Sequence, residues 1–305
     1  MTNEAHSAKC IVCAGPLSRI RPYVFASRAF RKVYRDRSIF VCGACGLPQA
    51  NMALVDGAAL TAYYRHVYRA VAGIARSDDP MANTVLLARG AALADLLARH
   101  GGGRKAARIF EAGAGYGLNL LAIAGRFPAA ALLTDELDAT IARPAGIGHA
   151  TLADGPFDAI VLSHVLEHFR DPLDALTRAA AALVPEGCLV VEVPNDRADR
   201  VGYQGHDEPH LTFFDAASLR ALAARVPSLE MLELFTAGPP PPMMGPAERL
   251  RLRLRKSLRR LADRIPVLRE RLRQRRLARR PARPPDFTAS SPGGSYLRAL
   301  LRKRS

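Results

Sequence analysis

The chain has 305 residues, 49% of them hydrophobic, and a formal net charge of +16. This is enough apolar material for one full domain with attachments, and no apolar run approaches the roughly 18 to 20 residues that a membrane-spanning helix needs. Residues 246–305 hold 20 Lys or Arg against 4 Asp or Glu, which leaves 24 of each sign in residues 1–245, so a basic footprint is excluded for the body and confined to the C-terminal fifth.

The start, Met1-Thr2-Asn3-Glu4, lacks a charged-then-apolar signal segment, so a cytoplasmic protein is expected. Cys10 with Cys13 and Cys42 with Cys45 form two Cys-x-x-Cys pairs. Each is a knuckle that sets two thiolates toward one tetrahedral metal, and two knuckles complete the closed four-sulfur shell of structural zinc. Two disulfides are the alternative, disfavoured in a reducing compartment. Residues 1–50 are read as this zinc module, with Ile39-Phe40-Val41 as a strand entering the second knuckle; its core is so small that metal must hold it. Cys188 falls in an apolar strand pattern and is read as core.

Residues 51–105 read as a helical linker or pocket cover. Tyr63, Tyr64, Val67, Tyr68 and Val71, then Leu86, Leu87, Leu93, Leu96 and Leu97, recur at three- and four-residue steps, and three glycines at 101–103 stop the second helix. Strand and helix alternate over 106–237. Arg108-Ile109-Phe110 enters the glycine turn Glu111-Ala-Gly-Ala-Gly-Tyr-Gly117, a helix follows to Arg126, and Ala130 to Leu133 is a second strand. A third strand is hard to find. Phe157 to Leu162 is a buried strand, Asp171-Pro172 opens a helix that ends before Pro185, and Leu189 to Val193 is the next strand. Asp215 caps a helix to about Arg225, and Leu229 to Phe235 is a further strand. The alternation predicts an α/β, Rossmann-like doubly wound, mostly parallel sheet.

Ligands of such a sheet bind at the carboxyl ends of its strands near the point where strand order reverses, which places the glycine turn at the site. A dinucleotide fingerprint would need glycine at 118, where Leu118 stands. About twenty residues on, Asp135-Glu136 supplies a carboxylate where a ribose diol would lie.

From Glu111 to Phe235 the chain resembles the class I S-adenosylmethionine-dependent methyltransferases. The likeness rests on Ile-Phe-Glu-Ala-Gly-Ala-Gly-Tyr-Gly117, on Gly155-Pro-Phe-Asp-Ala-Ile-Val-Leu-Ser-His-Val-Leu-Glu-His168 and on Val191-Glu-Val-Pro-Asn195. The knuckle Cys42-Gly-Ala-Cys-Gly-Leu-Pro-Gln49 and the stretch Pro209-His-Leu-Thr-Phe-Phe-Asp215 resemble the bacterial branch that includes zinc-containing sugar C-methyltransferases. The resemblance implies that Glu111, Gly113 and Gly115 contact the methionine end of S-adenosylmethionine, that Glu136 holds the ribose with Asp135 as its competitor, and that Ser163 and His164 line the pocket near the adenosine. The chain departs from that branch in its short stretch between Glu136 and Phe157, in lacking its large C-terminal domain, and at Asp207 and Glu208, where tyrosine and histidine are expected.

Methyl transfer to a hydroxyl or an acidic carbon also needs a proton acceptor, and histidine suits that near neutral pH. The candidates are His210, His168 and His206, with His164 beside them; Glu167 is read as solvated, and a second metal site built from His164, His168, His206 and His210 is an alternative. Tyr64 and Tyr68 share a helix face that covers the pocket or packs in the core.

Residues 238–292 are read as a Pro-rich linker and an Arg-rich amphipathic helix, with Leu250, Leu254, Leu258, Leu261, Ile265, Leu268 and Leu272 on one face, inserted before a last strand within 293–305. Contact with an anionic membrane surface, at the inner membrane face, competes there with a grip on nucleic-acid phosphates. The expected activity is methyl transfer to a sugar nucleotide or glycan precursor. An rRNA base methyltransferase with a basic RNA-binding tail and a non-catalytic cofactor-binding scaffold are the alternatives.

Overall fold

The computed structural model describes residues 9–22, 30–36, 38–68, 80–100, 107–196, 210–240, 267, 286–288 and 290–305. His206 and nearly all of the Arg-rich segment fall outside them. Among the described residues no helix is long and apolar enough to cross a membrane.

The N-terminal part is a small antiparallel sheet. Strand β1 (Leu17–Pro22) pairs with β2 (Ser38–Cys42), and β2 with β3 (Pro48–Gln49), with helix α1 (Phe30–Val33) between the first two. Helix α2 (Gly57–His66) starts where the Asp56 carboxylate accepts from the Ala59 amide at 3.0 Å, the usual way a first turn satisfies a backbone donor that has no helical partner. Phe30, Val33, Tyr34, Ile39, Leu60 and Tyr63 pack together with Leu211 and Phe213 from the far end of the chain.

The larger part holds helix α3 (Pro80–Arg99), β4 (Arg108–Glu111), α4 (Leu118–Arg126), β5 (Ala131–Thr134), β6 (Ile147–His149), β7 (Phe157–Ser163), α5 (Pro172–Ala181), β8 (Leu183–Pro194), α6 (Ala216–Ala223), β9 (Leu229–Ala237) and β10 (Tyr296–Lys303). The seven strands lie in the order β6-β5-β4-β7-β8-β10-β9. Pairing is parallel from β6 to β8, and β10 runs antiparallel to both β8 and β9. This is a mostly parallel mixed sheet with helices against it. Successive residues alternate between two buried clusters: Phe110, Ile160, Leu162, Leu189 and Val191 face α5 and α6, while Ile109, Ala159, Val161, Cys188 and Val190 face α3 and α4. Burial on both faces is what a parallel sheet requires, and it explains why these strands read as continuous apolar runs.

The abbreviated third strand is present, and one expectation, the start of β8, is corrected. The third strand exists as β6, only three residues long, reached through Pro144 and Gly146 without a helix in residues 135–146. Strand β8 begins at Leu183 rather than Leu189; it runs through Pro185-Glu186-Gly187 with a register shift between Phe157 and Ala159 on β7, and Glu186 takes a positive φ of 61°. A local bulge absorbs the proline and glycine that would ordinarily end an element.

The N-terminal sheet is joined to the larger part by backbone. The Phe213 amide donates to the Pro48 carbonyl at 3.0 Å and the Ala50 amide to the Leu211 carbonyl at 2.7 Å. The Arg225 guanidinium donates to the Val12 carbonyl inside the first knuckle at 2.5 Å. The stretch Leu211–Phe213, next to His210, is therefore held by β3 and Ala50.

Candidate functional site

Chain order carries β4, β5 and β6 outward to one side and then returns to place β7 on the other side of β4. The crevice at the carboxyl ends of β4 and β7 is thus the expected ligand site. The glycine turn occupies it, with φ of 57°, 59° and 71° at Gly113, Gly115 and Gly117. These are left-handed conformations that side chains disfavour. A Cβ on Gly113 would lie 3.2 Å from Val165 Cγ1, and one on Gly117 would lie 2.8 Å from Ile147 Cδ1.

Glu111 closes β4 and is 2% exposed. Its Oε1 accepts from Asn119 Nδ2 at 2.7 Å, while Oε2 is buried with no hydrogen-bond partner among the described residues. Burial pushes its carboxyl up from the ordinary 4.5 to about 8, against the pull of Asn119 and Arg89. An orphaned acceptor beside a glycine cradle fits a bound ammonium group. The Gly113 amide donates to Asp135 Oδ1 at 2.9 Å and the Gly115 amide to Glu136 Oε2 at 2.7 Å. Both carboxylates after β5 thus reach the turn, and burial, partly offset by the Gly113 amide, raises the Asp135 carboxyl.

Ser163 ends β7 and His164 follows it. Ser163 Oγ donates to Glu192 Oε1 at 3.1 Å; the His164 amide donates to the Glu192 carbonyl at 2.8 Å, and His164 takes a φ of 54°. Beyond them the chain forms a single 3-10 turn, Leu166–His168. Val165, the residue that packs on Gly113, links this turn to the crevice of the glycine turn.

The turn supplies a buried polar cluster. Glu167 is 1% exposed, which corrects its reading as solvated: its backbone carbonyl accepts from the amides of Leu211 and Thr212 at 2.8 and 3.2 Å, drawing the side chain under the His210 segment. His164 Nδ1 lies 3.4 Å and His168 Nε2 3.8 Å from Glu167 Oε1. Burial opposes ionisation of Glu167, but the nearby rings of His168, His164 and His210 more than offset it and hold the carboxyl below its ordinary value. Tyr64 Oη is 2.7 Å from His168 Nδ1, His210 Nδ1 is 3.5 Å from Asp196 Oδ2, and the two histidine rings stack edge-on at 5.0 Å. Tyr68 packs edge-on against His168 at 6.1 Å.

Glu192, Arg298, Arg89 and Asp196 were missed by the motif reading. Glu192 and Arg298 stand directly opposite each other on β8 and β10, with Arg298 Nε 2.6 Å from Glu192 Oε2, and Arg89 Nε lies 3.2 Å from Glu192 Oε1. A lone charge inside each of two apolar strands, Val-Val-Glu-Val and Tyr-Leu-Arg-Ala-Leu-Leu, was the available signal.

At the knuckles, Cys10 Sγ lies 3.6 Å from Cys45 Sγ and Cys13 Sγ 3.4 Å from Cys42 Sγ, and all four sulfurs fall within 4.8 Å of one another. No disulfide joins them. A tetrahedral ion about 2.3 Å from each sulfur would set them about 3.8 Å apart. The amides of Val12, Ala44 and Cys45 point at Cys10 and Cys42 sulfurs at 3.3 to 3.4 Å, as amides around a bound thiolate do. The four residues fit a zinc ion.

Residues 86–226 match the family model described as a methyltransferase domain. That stretch, a little under half of the chain, is similar to a methyltransferase domain. The matched residues run from α3 to the end of α6, and include the glycine turn, Asp135, Glu136 and the histidine cluster. No curated protein matches the chain. Solved structures similar to this chain include the plantazolicin methyltransferase BpumL in complex with SAH, at 13% identity over 81% of this chain and 94% of that one, with a TM-score of 0.42. Another is a putative sarcosine dimethylglycine methyltransferase from Galdieria sulphuraria, at 19% identity over 70% and 83%, with a TM-score of 0.43. A third is the putative methyltransferase in complex with the Haloferax volcanii Trm112 methyltransferase activator, at 14% identity over 79% and 98%, with a TM-score of 0.48.

Proposed function

We propose that the chain methylates a proton-bearing acceptor, a hydroxyl or an acidic carbon, and that the acceptor is a small molecule of the sugar-nucleotide or glycan-precursor class. The observation that carries the first part is the buried cluster of Glu167, His168 and His210, joined through Val165 to the glycine turn. Proton-accepting groups gathered beside a methyl-donor crevice suit acceptors that must lose a proton as they react. The sugar class is supported by the resemblance of the Cys42–Gln49 knuckle and of the Pro209–Asp215 stretch alone. Incubating the purified chain with labelled S-adenosylmethionine and a sugar-nucleotide pool tests it; label confined to RNA would replace that acceptor class by the rRNA reading.

S-adenosylmethionine, when bound, supplies an electrophilic methyl group on a sulfonium. Glu111 would hold its ammonium, Glu136 or Asp135 its ribose hydroxyls, and Gly113 and Gly115 would let the backbone approach. Ser163 and His164 would line the adenosine side. His168 and His210 would take up the acceptor's proton or position the group that does so, with Tyr64 and Asp196 orienting their rings.

Glu111 gives this reading a pH signature. A carboxyl raised to about 8 is largely protonated at neutral pH and must lose its proton to pair with an ammonium. Cofactor affinity should therefore rise with pH by up to about tenfold per unit and level off above about pH 8. The stability effect has the opposite sense: the folded chain holds a proton that the unfolded chain releases between 4.5 and about 8, so this group's contribution to stability falls as pH rises through that window. Calorimetry across the range checks the affinity, and Glu111→Gln should flatten it. A parent affinity independent of pH would remove Glu111 from the ammonium site.

Cys10, Cys13, Cys42 and Cys45 would hold a structural zinc whose role is to fix β3 and, through it, the His210 segment. Chelation should release one equivalent of zinc and expose the N-terminal sheet to protease while the larger sheet stays protected, because the small module has little core without metal. Elemental analysis and limited proteolysis check this. A metal-free chain with an intact module would favour another means of holding the knuckles.

A further inference from the structure

We propose that Glu167, His168 and His210 bind one divalent transition-metal ion, separate from the four-cysteine cluster. The inference deepens the methyl-transfer reading and rests on it for the ion's role. The three residues each offer a ligand atom, all lie within 4.8 Å of one another, and all are buried. Two of them come from the 3-10 turn after β7 and the third stands next to the stretch that β3 and Ala50 hold. Their convergence is thus imposed by the fold rather than by a chance surface cluster.

Three further features point to a ligand. Both carboxylate oxygens of Glu167 are buried with no hydrogen-bond donor among the described residues. The histidine rings approach Oε1 only to 3.4 and 3.8 Å, and a bound cation would satisfy both oxygens directly. His168 Nδ1 meets Tyr64 Oη at 2.7 Å, and His210 Nδ1 faces Asp196 Oδ2 at 3.5 Å. Ligating imidazoles are commonly oriented by such neighbours, a hydroxyl or a carboxylate standing beside one ring nitrogen. His168 Nε2 is already 3.8 Å from Glu167 Oε1. An ion about 2.1 Å from each donor would draw them to separations of about 3.0 to 3.5 Å, a change that small side-chain rotations supply.

Two imidazoles and one carboxylate suit zinc, cobalt, manganese or ferrous iron better than calcium or magnesium. Three protein ligands leave coordination positions open, as in catalytic rather than structural sites. An acceptor oxygen entering such a position would have its proton acidified; with the ion bound, His168 and His210 would position that oxygen instead of taking up its proton, which would pass to solvent.

The test uses the full chain with its cysteines zinc-loaded and Co2+ as the probe. One further equivalent of Co2+ should bind with visible d–d bands and without the sulfur-to-cobalt absorption that exchange at the cysteines would produce. Glu167→Gln and His210→Gln should weaken that binding at least tenfold. Tyr64→Phe, which keeps every ligand and a buried ring, should weaken it by about tenfold or more through the lost orienting contact. Calorimetric S-adenosylmethionine binding on the same samples reports whether the domain is folded and whether the methyltransferase reading stands. A parent that binds the cofactor and takes up no additional Co2+ overturns the metal site alone, as does Co2+ binding of parental strength in Glu167→Gln and Tyr64→Phe.

Discussion

Gly113→Val should reduce S-adenosylmethionine affinity at least about a hundredfold, ~2.7 kcal/mol, while leaving the chain folded. The position takes a φ of 57°, and a Cβ there would sit 3.2 Å from Val165 Cγ1. A β-branched residue in that conformation costs about 1 to 3 kcal/mol of backbone strain, which a domain of this size can absorb. Relief can come only by moving the turn, and its amides, out of the crevice. Gly125→Ala is the matched control, since a Cβ there meets nothing within 4 Å. Titration calorimetry with a melting curve separates binding loss from unfolding. The valine variant binding as tightly as the parent would take the cofactor away from this turn. Glu136→Ala should weaken binding by about 1 to 3 kcal/mol through lost hydrogen bonds to the ribose; if Asp135→Ala has that effect instead, the ribose belongs to Asp135.

How much of this was legible follows from how local each signal is. The glycine turn, the carboxylates after β5 and the apolar run of β7 are contiguous words in the sequence, and periodicity or spacing reads them directly. Strand β6 has three residues and a partner on one side only, too little to produce a pattern. The bulged start of β8 contains the same Pro and Gly that mark the end of an element elsewhere. Glu167 looked solvated because its neighbours in sequence include His164, His168 and Arg170; it is buried because Leu211 and Thr212, more than forty residues on, close over it. The knuckle spacing was clear, whereas the pairing of β3's surroundings with residues 211–213 could not be read from either segment alone. Burial of polar groups by distant backbone is the part of a site that a linear reading loses first.

The Glu192 and Arg298 pair belongs to the same class, and its removal carries the second large effect. Arg298→Ala should destabilise the chain by about 3 to 5 kcal/mol. Arg298 is 1% exposed and Glu192 is fully buried; the guanidinium bonds Glu192 Oε2 at 2.6 Å and also reaches the Phe287 carbonyl. Burial alone would raise the Glu192 carboxyl, yet Arg89, Arg298 and His164 outweigh it and keep it ionised. Losing Arg298 leaves a buried carboxylate compensated chiefly by Arg89, 3.2 Å away, and opens a side-chain-sized void beside β10. Because the two residues are direct cross-strand partners, the pair also pins the register of β10, where a one-residue slip would turn Arg298 to the opposite face. Chemical denaturation of Arg298→Ala against the double variant Glu192→Leu with Arg298→Met decides between these terms. The double variant removes both charges and refills the volume, so it should recover a large part of the loss. An Arg298→Ala chain within about 1 kcal/mol of the parent would show that Arg89 alone balances Glu192, and that β10 is held in register by its backbone ladder and apolar residues.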